Sequence, residues 1–167
     1  MDFSLSAEQQ MLQETARRFA QTELPAHATD IENNNAPPNL VLRKRFAEMG
    51  FMGINLPSAY GGAGLGHFEA VLILEELAKI SVAVAFPVFE ASFGPALAIA
   101  HFAPKALQQR ILPQVCSGEM VVAVSMSEPH AGTALTDLKT RGKLSGDKII
   151  LNAVSYTHLT LPTTERV

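Results

Sequence analysis

The chain changes its periodicity once, near residue 118, and that switch limits it to two kinds of structure in sequence. Up to Ser117-Gly118, apolar residues recur three and four apart, as on one face of a helix. From Met120-Val-Val-Ala-Val124 the pattern becomes strand-like and ends in a hydroxyl-rich turn, Ser125-Met-Ser-Glu-Pro-His-Ala-Gly-Thr133. The expectation is a mainly α chain: a helical domain over 1–118, then a β-domain opening at 119–153. In 167 residues only two or three strands follow the switch, so the β-domain is expected to be incomplete.

Within the helical part, Ser6-Ala-Glu-Gln9 reads as a capping box, and Leu12, Ala16 and Phe19 share a face of a helix expected to end near Leu24-Pro25. The cluster from Asn33 to Pro38 is a loop. A second helix carries Leu42, Phe46 and Met49, with Gly50 closing it. Residues 51–66 form an irregular connection. A third helix starts near His67, with Ala70, Val71, Leu74, Leu77 and Ala78 on one side and Glu69, Glu75, Glu76 and Lys79 largely on the other, the glutamates reading as a solvated face. Val82 to Ala103 is nearly all apolar and approaches the length of a membrane span. Pro87, Gly94 and Pro95 break it, and Glu90 would be costly in lipid, so two short buried helices are expected instead. Pro104 then starts a helix through Leu107, Ile111 and Val115, which Pro113 should split. Beyond the switch, Ser145-Gly146-Asp147 marks a hairpin turn into Lys148–Leu151.

Several function classes are excluded on composition. A net charge of −3, with no sustained run of Lys or Arg, gives no general attraction to nucleic acid. The single Cys116 can form no internal disulfide, which suits a reducing compartment. The start of the chain shows no secretion signal. The five histidines have no metal-ligand spacing, so no metal site is expected; His101 reads as a core or boundary residue and His130 as a loop residue. Gly61-Gly-Ala-Gly-Leu-Gly66 spaces its glycines as G-x-G-x-G rather than G-x-G-x-x-G, in helical surroundings, and reads as a tight structural loop. Glu75 and Glu76 diverge by ~100° on a helix and cannot converge on one bond. Ser125, Ser127 and Thr133 have no adjacent base, so no nucleophilic machinery is expected.

The turn at 125–133 is the candidate binding element. Pro129 fixes its own φ and donates no N–H, while Gly132 tolerates a backbone approach that a Cβ would forbid. A strand end of this kind offers amides and hydroxyls to something flat and polar.

The chain resembles the acyl-CoA dehydrogenase family. The residues that carry the resemblance run in order: Ser6-Ala-Glu-Gln-Gln-Met-Leu12 with Arg17-Arg-Phe-Ala20, Met49-Gly-Phe-Met-Gly-Ile-Asn-Leu-Pro57 with Tyr60-Gly-Gly-Ala-Gly-Leu65, and Glu75-Glu-Leu-Ala78. They continue through Gln109-Arg-Ile-Leu-Pro-Gln-Val-Cys-Ser-Gly-Glu119 to Ser127-Glu-Pro-His-Ala-Gly-Thr133 and Leu138-Lys-Thr140. The resemblance implies an FAD enzyme oxidising an acyl-CoA to the trans-2-enoyl-CoA, passing electrons to an electron-transfer flavoprotein, and working as a homo-oligomer, a dimer or tetramer. By position it assigns the flavin segment to Val124, Ser125, Met126 and Ser127, and places Gly132 and Thr133 near cofactor phosphate, with Thr133 also near the acyl-CoA. Ser127 stands where the family usually has threonine, His130 where it commonly has glycine and Ala134 where it has aspartate, and the second flavin segment expected after Asn152, an aromatic-Ile-Thr/Ser stretch, is not found. The family's catalytic glutamate lies in a C-terminal helical domain, so no catalytic residue is expected here, and Glu75, Glu90, Glu119 and Glu128 are not substitutes. Residues 154–167 resemble a spurious tail, and the chain is expected to be an inactive fragment of its parent. Related flavoprotein chemistry, an acyl-CoA oxidase or flavin monooxygenase, and a non-catalytic helical binding domain are the alternatives.

Overall fold

The computed structural model describes residues 4–153; the tail assigned to 154–167 lies outside them. Six helices come first: α1 (Ala7–Asn34), α2 (Leu40–Glu48), α3 (His67–Ala78), α4 (Val82–Ser92), α5 (Pro95–Phe102) and α6 (Lys105–Cys116). A hairpin of β1 (Arg141–Ser145) and β2 (Lys148–Asn152) follows. The contacts divide the chain into two compact units that meet between Ala123 and Val124.

In the first unit the capping box forms as the residues dictate. Ser6 Oγ accepts the Gln9 amide at 3.2 Å, and Gln9 Oε1 accepts the Ser6 amide at 3.0 Å. Gln9 Nε2 also donates to Glu69 Oε1 at 2.8 Å, so the cap fastens α1 to the start of α3. The helix does not stop at Pro25. It runs to Asn34 and ends on Asn35, whose φ of +46° is the left-handed cap. Leu24 is fully buried before the proline, and Ala28 and Ile31 pack on the core after it. That burial on both sides outweighs one missing backbone bond. Pro113 behaves alike inside α6, between buried Leu112 and buried Val115 and Cys116, and splits nothing.

The core of this unit gathers around Phe19, which meets Phe51 edge-on (centroids 5.5 Å, 85°) and Phe46 at 5.7 Å. Leu42, Ile54, Leu56, Ile73, Leu77, Val84, Val88 and Leu112 complete it. The apolar stretch after Val82 forms two helices, α4 and α5, parted at Phe93-Gly94, and Pro87 is accommodated inside α4. Glycines set the tight points. Gly118 adopts φ +73°, and a Cβ there would stand 2.6 Å from the Arg43 carbonyl oxygen. Arg43 Nε in turn donates to the Gly118 carbonyl at 3.1 Å, which ties α2 to the end of α6.

In the second unit, β1 and β2 pair antiparallel, with Ser145 opposite Lys148 and Arg141 opposite Asn152. Gly146 at φ +64° and Asp147 at negative φ form the two-residue turn, a sign pattern that matches the right-handed twist of the strands. Leu144, Ile149 and Leu151 share one face by this register. Val121–Val124, expected as a strand, has no ladder partner among the described residues. A β conformation is held by a neighbour's hydrogen bonds, and strand-like residues alone do not supply one.

Candidate functional site

The approach to the site begins at the end of α6. The Met120 amide donates to the Gln114 carbonyl at 2.9 Å, and Met120 and Val122 pack against the helical core. A shallow cleft there is lined by Met52, Pro87, Glu90, Ala91 and Val115 together with Met120–Val122. Burial raises the Glu90 carboxyl above its ordinary range.

Beyond it, Val124, Ser125 and Met126 are exposed and Ser127 is half-buried. The amides of Val124–Ser127 meet no backbone acceptor among the described residues. Glu128 and Ala131 then exchange both backbone bonds, at 2.9 and 3.1 Å, which closes a tight turn over Pro129-His130. Ala131 is buried; Gly132 and Thr133 are exposed. A Cβ built at Gly132 would meet no atom within 4 Å, so that backbone faces open space. The Thr133 carbonyl accepts the Leu135 amide at 3.0 Å, leading into a short 3-10 turn, Leu135–Asp137.

The structure thus presents the six expected residues, Val124, Ser125, Met126, Ser127, Gly132 and Thr133, along one strip and one loop, with the donors at 124–127 and the open glycine separated by the turn. Flavin recognition needs amide and hydroxyl donors toward a polar ring edge and close backbone approach near phosphate. The amides at 124–127 without backbone acceptors and the open backbone at Gly132 are the features that a site of this kind would use.

One residue was missed by sequence reasoning. The Glu128 carboxylate accepts the Lys139 amide at 2.7 Å, the Thr140 amide at 2.8 Å and the Thr140 hydroxyl at 2.5 Å. The Thr140 hydroxyl, then the Lys139 amide, hold its pKa below the usual carboxylate range. Nothing local in the sequence signals a contact between residues eleven and twelve apart. Other titratable groups depart from expectation too. Glu76, read as solvent-facing, is 3% exposed and ion-paired to Arg17. His101 is exposed rather than a core residue. Among the described residues no group of three His, Cys, Asp or Glu side chains is placed to hold a metal ion.

The sequence profile of the acyl-CoA dehydrogenase N-terminal domain matches residues 6–119. The chain belongs to the acyl-CoA dehydrogenase family. Mitochondrial isovaleryl-CoA dehydrogenase of Bos taurus is 34% identical to it over 153 residues, covering 91% of this chain and 36% of that protein. Among solved structures, glutaryl-coenzyme A dehydrogenase in its glutaryl-CoA complex superposes with a TM-score of 0.83 at 31% identity, over 92% of this chain and 39% of that one. The FAD complex of PigA superposes with a TM-score of 0.81 at 26% identity, over 92% and 40%. The chain therefore spans less than half the length of each of these three proteins.

Proposed function

We propose that residues 1–118 and 119–153 serve as the N-terminal helical domain and the opening of the β-domain of an FAD-dependent acyl-CoA dehydrogenase. The observation that carries this reading is the strip of Val124–Ser127 leading to an open Gly132, in a chain of this family. FAD would supply the acceptor for the hydride that leaves the β-carbon of an acyl-CoA thioester as the trans-2-enoyl-CoA forms. The chain's own residues prepare for that. Amides at Val124–Ser127 and the Ser127 hydroxyl would hold the flavin ring, as donors able to oppose negative charge on it. Gly132 lets cofactor phosphate approach the backbone, and Thr133 supplies a hydroxyl toward phosphate and the acyl-CoA.

No residue of this chain is assigned as the base that removes the α-proton. Glu128 has its oxygens occupied by three donors, and Glu76 is committed to Arg17 and Lys79. The electron acceptor assigned to the whole protein is an electron-transfer flavoprotein, its assembly a homodimer or homotetramer, and its compartment a reducing one, cytoplasm or mitochondrial matrix. Buried, unpaired Cys116 is compatible with such a compartment.

The test is a titration of FAD fluorescence with the purified chain. Saturable quenching, weakened by Gly132→Val and by Thr133→Val while the helical circular dichroism is unchanged, is expected. Absence of saturable quenching, or quenching by both variants undiminished from the unsubstituted chain, contradicts the assignment.

A further inference from the structure

Resting on the flavin reading above, we infer that Glu128 is a positioning residue, a clasp that holds Gly132 and Thr133 in place relative to the donors at Val124–Ser127. Glu128 closes two rings of different size. Its backbone pairs with Ala131 to form the small turn, and its side chain reaches Lys139 and Thr140 to close the larger loop. Gly132 and Thr133 lie inside that larger loop, and Ser127 immediately precedes its base. The far end is equally anchored, because Arg141, next to Thr140, begins β1, and its guanidinium donates to the Thr140 carbonyl at 3.2 Å. The candidate phosphate-facing residues are thereby fixed between the donor strip and the hairpin.

The chemistry requires a glutamate. Three donors converge on two oxygens, Lys139 on Oε2 and both Thr140 groups on Oε1. A carboxylate supplies acceptor sites only. Glutamine would turn an NH2 toward at least one donor, and aspartate is shorter by one methylene. Because the acceptor is ionised, these are charge-assisted bonds, which hold geometry more firmly than neutral ones. Fixing a loop in its binding conformation before the ligand arrives removes an ordering cost from binding. The effect on affinity therefore comes through Gly132 and Thr133, with no contact between Glu128 and the ligand.

The test compares FAD with riboflavin, which has the ring but no phosphate, on the 167-residue chain by fluorescence titration, alongside amide hydrogen exchange. In Glu128→Gln, exchange at Lys139 and Thr140 is expected to accelerate, and FAD binding to weaken about tenfold, the size of one lost charge-assisted bond. Riboflavin binding should change far less, because the clasp acts on the phosphate-facing loop. Thr140→Val, which deletes only the hydroxyl donor, is expected to weaken FAD binding by a smaller factor, and Thr140→Ser to restore it. Faster exchange with FAD affinity unchanged would show a clasp without a positioning role and overturn the inference. So would equal weakening for FAD and riboflavin, or unaltered exchange in Glu128→Gln. If the unsubstituted chain binds no FAD, the flavin reading itself falls and this inference with it.

Discussion

The Glu76 carboxylate of α3 receives the Arg17 guanidinium of α1 through two parallel bonds, Nε to Oε2 at 3.2 Å and Nη2 to Oε1 at 3.1 Å. Lys79 Nζ adds a third contact at 2.9 Å. The carboxylate is 3% exposed and Arg17 40%, so an interior charge is neutralised by cations that still reach water. Its neighbour on the helix, Glu75, pairs with Lys79 at the surface, at 3.2 Å.

Removing that carboxylate should loosen the α1–α3 contact. Glu76→Ala leaves a cavity and removes the bidentate partner of Arg17, which keeps only Glu14, for a loss of about 2 kcal/mol and a melting temperature lower by roughly 5 °C. Glu75→Ala, on an exposed ion pair, should change stability by less than about 0.5 kcal/mol. Thermal unfolding followed by circular dichroism separates the two.

The same pair fixes a pH dependence. Bonding to Arg17, partly opposed by burial, holds the Glu76 pKa below its ordinary 4.5. A depressed folded-state pKa contributes stability that is present above pH 4.5 and is lost as pH falls through the lower folded value. The stability advantage of the native chain over Glu76→Gln should therefore be full at neutral pH and shrink only below pH 4.5. Urea unfolding of both proteins at pH 7, 5 and 3.5 checks the sign.

Two glycines with the same backbone conformation should respond differently to alanine. Gly50 sits at φ +74° with nothing within 4 Å of a Cβ, so Gly50→Ala should cost about 1–2 kcal/mol, the left-handed penalty alone. Gly118, at φ +73°, adds a contact of 2.6 Å to the Arg43 carbonyl oxygen. Gly118→Ala must also shift backbone and disturb the Arg43 bond, so its loss should be the larger. Denaturant midpoints measure the order.

Burial raises the Cys116 thiol to about 11, with 7% of the residue exposed. Little thiolate forms at pH 8, and little reagent can reach it. Iodoacetamide should label the folded chain slowly and the urea-unfolded chain rapidly. Fast labelling of the folded chain would contradict the close approach of the Cys116 sulfur to Gly53, where a Cβ would stand 2.8 Å from it.

Much of the helical unit was legible because its signals are local. Ser6 and Gln9 lie three apart and predict their own reciprocal bonds, and Gly50 announces the end of α2. Pro25 and Pro113 misled because their effect depends on what is buried beside them, which the local pattern does not reveal. Glu76 misled for a similar reason: its partner Arg17 is fifty-nine residues away, on another helix. The strip at 124–133 could be singled out from Gly132 and the hydroxyls. The Glu128 clasp could not, since Leu138-Lys-Thr140 acquires a role only when the loop brings it back. Val121–Val124 carries strand-forming residues without a partner to make a ladder.

The central claim is that Val124–Ser127, Gly132 and Thr133 hold FAD. Backbone amide chemical shifts of the nitrogen-15-labelled chain, recorded as FAD is added, test it most directly. The account predicts saturable shifts concentrated at Val124–Thr133, with the amides of α1 and α2 unmoved. Shifts confined to the helical unit, or none at these residues at saturating FAD, would contradict it.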